Sequence, residues 1–317
     1  MNTPPEKPEG ADSDALLKRL EWTVIRRLDG LLQGDYRTLW RGAGLDLADL
    51  REYQHGDDVR HIDWNVTARL QVPHVRQFTE DRELAAWFLV DLSASVDFGS
   101  DTRAKRGVAR EFVAVLARLL TRHGNRVGAL FYGSDVDAVV PTRSGRRHVL
   151  HILHRMLTRP EAKAAAATDL NVLLRTAHDV VRRRSLVFVV SDFISRPGWA
   201  ETLANLARRH EVIAVRVYDP LERELPDLGL LVIQDSETGE QVFVDTHDRG
   251  FRKRFAELAA KREEELRTAF RRAGVDALEL ATDDDLTDAI MRFADLRKRR
   301  SQLATGGAAL PAHIGAA

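Results

Sequence analysis

The spacing of apolar and polar positions changes several times along this chain. From Leu16 to Leu32 apolar residues recur at helical intervals (Leu16, Leu17, Leu20, Val24, Leu28, Leu31), which predicts an amphipathic helix. Residues 34–84 keep no clear period and are dense in charge and aromatics, so short strands and turns are expected there. At residue 85 a new rhythm begins. "WFLVDL" is short and continuously apolar, as a strand buried on both faces must be. A helical stretch follows over 103–122, with Val108, Phe112, Val115, Leu116 and Leu119 on one side. Strands are predicted at 127–132 and 138–140, helices near 145–158 and 169–183, and a second fully buried strand at 186–191. A helix at 198–209 leads to a third buried strand at 212–218. A strand–turn–strand pattern, "LLVIQDSETGEQVFVD", reads as a β-hairpin within 228–247. A long helix (251–273), a short strand (278–282) and a capped helix with an acidic start and a basic end complete the pattern.

Strands alternating with helices of these lengths predict an α/β fold, doubly wound, with a mostly parallel sheet covered by helices on both faces. The expected organisation is a disordered start (1–12), an N-terminal helix and polar segment (13–84), one α/β domain (85–300) carrying the hairpin, and a disordered Gly/Ala-rich tail (301–317).

Composition narrows the function. Basic and acidic residues number 48 each, so no overall charge draws the chain to nucleic acid or anionic lipid. With no cysteine, disulfides, thiolate catalysis and Cys-based zinc sites are excluded. The polar, proline-rich opening "MNTPPEKPEG" reads as no signal peptide, and no apolar run reaches the roughly 20 residues of a membrane span. A cytoplasmic location is therefore expected. No P-loop is present, so ATP hydrolysis by this chain is not expected.

Ligands of open α/β sheets sit at the carboxyl ends of the strands. Polar residues just past the buried strands are Asp91, Ser93 and Ser95 in "DLSAS", and Asp192 in "SDF". Thr168, in "TDL" ahead of the 169–183 helix, returns to the same edge. All five are hard oxygen donors, the chemistry of Mg²⁺ or Mn²⁺ sites. Helix capping and loop hydrogen bonding are the plainer explanation, and Thr168 is a natural N-cap candidate.

"DLSAS", "TDL" and "SDF", in this order on this pattern, resemble the three segments of a metal-ion-dependent adhesion site in a von Willebrand factor type A domain. The resemblance spans roughly 85–300 and implies metal ligation by Asp91, Ser93, Ser95, Thr168 and Asp192, with Mg²⁺ (or Mn²⁺ or Ca²⁺) as the ion. The preceding run "REYQHGDDVRHIDWNVTAR" sharpens it. Arg51, Tyr53, Gly56, Asp57, Asp58, Arg60, Ile62, Asp63, Trp64 and Arg69 resemble the bacterial domain-of-unknown-function fifty-eight family, although His55 stands where that family usually has proline. That likeness implies a non-enzymatic adaptor working with a MoxR-type AAA+ ATPase, its metal gripping an Asp or Glu of a partner protein. The alternative is a metal-dependent hydrolase, phosphoesterase-like, at the same acidic edge. That chemistry lacks an acidic residue two positions after Asp91, a lysine in the obvious loops, and a His or Glu base in the three segments.

The other motifs have plain structural explanations. The 51–69 charges form an ion-pair network with Tyr53 and Trp64 packed beneath, with partner docking as the second reading. His148, His151 and His154 drift around a helix without a carboxylate among them. Asp283, Asp284 and Asp285 open a helix, and "LRKRR" at 296–300 ends one. Asp97 and Asp101 are near the acidic edge in sequence, where an outer-sphere role is conceivable.

Overall fold

The computed structural model describes residues 11–25, 28, 49–54, 59, 62–77, 85–99, 103–159, 168–234, 240–304 and 313–314. Its centre is a seven-stranded sheet. Strands β3 (Ala85–Asp91), β4 (Arg126–Tyr132), β5 (Val136–Arg143), β6 (Leu186–Ser191), β7 (Glu211–Tyr218), β10 (Asp276–Ala281) and β11 (His313–Ile314) lie in the order β11-β10-β7-β6-β3-β4-β5. All neighbours are parallel except β4 and β5, which pair antiparallel. The doubly wound, mostly parallel architecture read from the sequence is the one observed.

Alternation along the strands builds two cores. Phe88 and Val90 of β3, Phe188 and Val190 of β6, and Ile213, Val215 and Val217 of β7 face one side. There they meet helices α1 (Ala11–Leu20), α3 (Lys105–Arg122), α4 (Arg146–Leu157) and α8 (Leu286–Ala304). Trp87, Leu89, Val187, Val189, Val212 and Ala214 face the other. That side is covered by α5 (Leu170–Val180), α6 (Trp199–Arg209) and α7 (Arg249–Ala273). Because both faces are buried, the strands read as unbroken apolar runs rather than as alternation.

Among the smaller elements, the hairpin expected within 228–247 is present and others differ from the expected pattern. The N-terminal helix begins at Ala11 and gives way to a π-helical turn, Glu21–Ile25; residues 29–48 lie outside the described set. Within 34–84, β1 (Asp49–Glu52) and β2 (His74–Gln77) pair antiparallel, and a seven-residue helix, α2 (Trp64–Leu70), stands between them. Asp63 caps it, its Oδ1 accepting from the backbone N–H of Asn65 and Val66. β8 (Leu230–Gln234) and β9 (Gln241–Asp245) form a separate antiparallel pair between β7 and α7. α8 runs on to Ala304, and His313–Ile314 pair with β10, so ordered structure continues past the expected limit at residue 300.

Candidate metal centre

Numbered by appearance within the central sheet, its six longer strands run 3-2-1-4-5-6, and the order reverses between β3 and β6. At that point neighbouring connections leave in opposite directions and open a crevice beyond the strand ends. β3 ends in Asp91, and the residue after β6 is Asp192. The two carboxylates therefore stand side by side, both fully buried.

Asp91 is held at both oxygens. Its Oδ1 accepts from the backbone N–H of Ser93 at 2.9 Å, and its Oδ2 from the hydroxyl of Ser191 at 2.7 Å. Burial, and then the neighbouring Asp192, push its pKa up from 3.8 to about 6. Ser93 precedes a 3₁₀ turn, Ala94–Asp97, and the Ser93 and Ser95 hydroxyls face each other at 3.2 Å. Asp192 Oδ1 accepts from the backbone N–H of Ile194 at 2.9 Å. The next residue, Phe193, holds φ at 58°, in the left-handed region that side chains rarely adopt. It stays there because its ring is clamped between Trp199 (5.2 Å) and Phe270 (4.9 Å). Aromatic packing beneath the sheet edge thus fixes the turn that presents Asp192.

Thr168 is buried, and it is not the cap of α5: Asp169 is, accepting from the Asn171 N–H. Instead, the Thr168 carbonyl accepts from the Arg196 N–H at 2.9 Å and from the Ser195 hydroxyl at 3.1 Å. These bonds tie it to the loop that carries Asp192. Asp169 N–H donates to the Tyr132 hydroxyl at the end of β4, fastening the same loop to the neighbouring strand. The five residues picked out by sequence thus lie on three loops stitched together by hydrogen bonds at one end of the sheet.

The donor set suits a hard divalent ion. Two oxygens on adjacent corners of an octahedral Mg²⁺ lie about 3 Å apart, close to the Ser93–Ser95 separation. Asp91 accepts from Ser93 and from the Ser191 hydroxyl, and a carboxylate, with about four lone-pair sites, keeps acceptor capacity beyond these bonds. No soft or imidazole donor belongs to the set.

Two further residues reach this centre that the sequence reading had not placed there. Lys105, the first residue of α3, is 1% exposed; its Nζ lies 2.7 Å from Asp192 Oδ2 and 2.5 Å from Glu222 Oε1. Lys105 reaches the strand ends from a helix start, and a glutamate joins it from the 3₁₀ turn after β7. Burial opposes the charge on Lys105, but Asp192 and Glu222 outweigh it and raise its pKa. Burial raises that of Glu222. Nearby, Arg106 pairs with Asp97 at 2.6 Å and donates to the Leu92 carbonyl. Asp97 is thus part of an ion pair, and Asp101 lies outside the described residues.

Of the 51–69 motif, Gly56, Asp57, Asp58 and Arg60 lie outside the described residues, as does the side chain of Arg51. Tyr53 is half-buried, Asp63 caps α2, and Arg69 is exposed. Trp64 is 70% exposed rather than packed beneath an ion-pair network: at the first position of α2 its side chain points to solvent. His148 Nε2 lies 2.8 Å from the Val127 carbonyl, an ordinary structural contact. Asp285 accepts from the N–H groups of Thr287 and Asp288, as a helix start requires. Among the described residues no helix is long and apolar enough to cross a membrane.

Relatives of this chain are found in mycobacteria. The uncharacterized protein Rv1480 of Mycobacterium tuberculosis is 41% identical over 285 residues, 90% of each chain. The uncharacterized protein MAV169 of Mycobacterium avium is 37% identical over 161 residues, 50% of this chain and 94% of that one. Among solved structures, the conserved hypothetical protein BatB of Bacteroides thetaiotaomicron overlays with a TM-score of 0.42 at 14% identity, over 68% of this chain and 99% of that one. The SpRpn10 VWA domain overlays with a TM-score of 0.39 at 11% identity, over 67% and 95%. Residues 49–265 match the family described as protein of unknown function DUF58, and the chain belongs to that family.

Proposed function

We propose that this protein is a cation-dependent protein-binding module. Asp91, Ser93, Ser95, Thr168 and Asp192 hold a divalent ion, Mg²⁺ by preference, and an Asp or Glu side chain of a partner completes its coordination. The single observation that supports this best is the pairing of two buried carboxylates with the facing Ser93 and Ser95 hydroxyls, at the point where the strand order reverses. Burial, and after it the charge of Asp192, raise the pKa of Asp91, and a cation between the two acids relieves both effects. The ion supplies an electrophilic anchor for a carboxylate; the protein orients the donors and excludes competing water. The likeness of the 51–69 run to the fifty-eight family motif makes a MoxR-type AAA+ ATPase the partner of choice, with this chain as its adaptor and the ATPase supplying hydrolysis.

The test is retention of a purified MoxR-type ATPase from the same genome by wild type and by Asp91→Ala, each with Mg²⁺ and with EDTA. Retention by wild type with Mg²⁺ alone is the expected result. Chelator-insensitive retention, equal for Asp91→Ala, contradicts it.

A second reading draws on Lys105 and Glu222. A lysine and a glutamate beside paired aspartates are the parts that a metal-dependent phosphoesterase needs and that the strand-end loops lack. Mg²⁺-dependent turnover of p-nitrophenyl phosphate, lost in Asp91→Asn, would establish it; no turnover leaves the binding module.

A further inference from the structure

Lys105 is one of only seven lysines in the chain, and among the described residues it is the buried one and meets the acidic centre. Two carboxylates, Asp192 and Glu222, face its single ammonium, and the first of them lies beside a third, Asp91. A buried ammonium is retained only where its partners compensate its desolvation. Here they do so from two elements: the loop after β6 and the turn after β7. Asp192 is therefore shared. One of its oxygens faces the Lys105 ammonium while the residue is also a ligand in the proposed metal site.

We propose that Lys105 is a tethered counter-cation of this centre: it holds the acidic loops together in the absence of metal and sets the affinity for the divalent ion, with Glu222 drawing part of its charge away from Asp192. The proposal rests on the metal-site reading above. An ion bound at Asp192 feels the repulsion of the ammonium on the same carboxylate, so Lys105 weakens metal binding. Glu222 offsets that repulsion, so losing Glu222 leaves Lys105 to Asp192 alone and weakens metal binding further. The two side chains thus act with opposite signs on one affinity. A lysine serving only as packing has no such effect.

The experiment is titration of the full-length protein with Mn²⁺, followed by electron paramagnetic resonance of the free ion, with thermal unfolding recorded with and without Mg²⁺. Lys105→Met is expected to bind Mn²⁺ roughly tenfold more tightly than wild type or better. It is also expected to unfold at a lower temperature without metal and to gain more from Mg²⁺ than wild type does. Glu222→Gln is expected to bind several-fold more weakly. This second variant keeps the test decisive if Lys105→Met does not fold, because unchanged or tighter Mn²⁺ binding by Glu222→Gln overturns the proposal. Wild-type binding with an unchanged affinity in Lys105→Met overturns the tethered-cation proposal and leaves the metal site standing. Absence of Mn²⁺ binding in wild type and both variants removes the metal site and the proposal together. Binding by Lys105→Met alone supports the proposal in its strongest form.

Discussion

A carboxylate buried beside another carboxylate makes stability depend on pH. The pKa of Asp91 is raised to about 6 in the folded protein, against 3.8 for the free side chain. Between those values the folded state binds more protons than the unfolded one, so the contribution of Asp91 to stability is greatest below about pH 4 and is lost as pH rises through about 6. Two pKa units correspond to about 3 kcal/mol. Without metal, wild type should therefore lose up to about 3 kcal/mol relative to Asp91→Asn between pH 4 and pH 8. Urea unfolding at the two pH values measures this, and a constant difference would refute it. At Phe193, the left-handed backbone is maintained by contacts with Trp199 and Phe270. Phe193→Ala should cost about 3–5 kcal/mol and also weaken Mn²⁺ binding, because the turn presenting Asp192 loses its clamp. Destabilisation with unaltered metal affinity would show that the clamp does not govern the site.

At the scale of elements, a buried charge cluster joins β7, β10 and α7. Arg216 of β7 makes two 2.5 Å hydrogen bonds to Glu263 of α7, and Arg223 reaches Glu263 at 2.6 Å and Glu279 of β10 at 2.9 Å. Burial alone raises the Glu263 pKa, but the Arg216 and Arg223 hydrogen bonds and charges prevail and bring it down to about 2. Its stabilisation is therefore complete above about pH 4.5 and is lost as pH falls through about 2. Glu263→Ala should cost about 3–5 kcal/mol at neutral pH, since it leaves two guanidinium groups to share the one carboxylate of Glu279. Urea unfolding reads this directly, and a loss under 1 kcal/mol would mean that the arginines find other partners. α2 offers a contrasting case. It buries no residue, so it writes no apolar stripe in the sequence; only its cap, Asp63, announces it. The strands of the central sheet and the long helices are legible because they bury a face, and burial dictates period. An aromatic in a charged run reads as packed, yet Trp64 stands in solvent. If the exposed ring contacts the proposed partner, Trp64→Ala should leave stability within about 0.5 kcal/mol while weakening partner retention at least tenfold. Equal retention would assign the exposed ring no role in binding.

For the whole molecule, the site follows from the topology. Strands that end side by side where the winding reverses deliver their ends to one crevice, and Asp91, the last residue of β3, and Asp192, the residue after β6, stand there. That much could be read from strand ends alone, because topology fixes where a strand end goes. Lys105 and Glu222 could not. They belong to a helix start and a turn whose approach to the crevice depends on packing between distant elements, which leaves no local pattern. The proposed function requires that the Ser93 and Ser95 hydroxyls, with the two buried aspartates, receive a cation. Anomalous diffraction from a crystal soaked in Mn²⁺ tests this directly. A single manganese peak roughly 2 Å from both serine oxygens, with Asp91 and Asp192 around it, is the predicted result. No peak there at saturating Mn²⁺, with Lys105 still bridging Asp192 and Glu222, would contradict it.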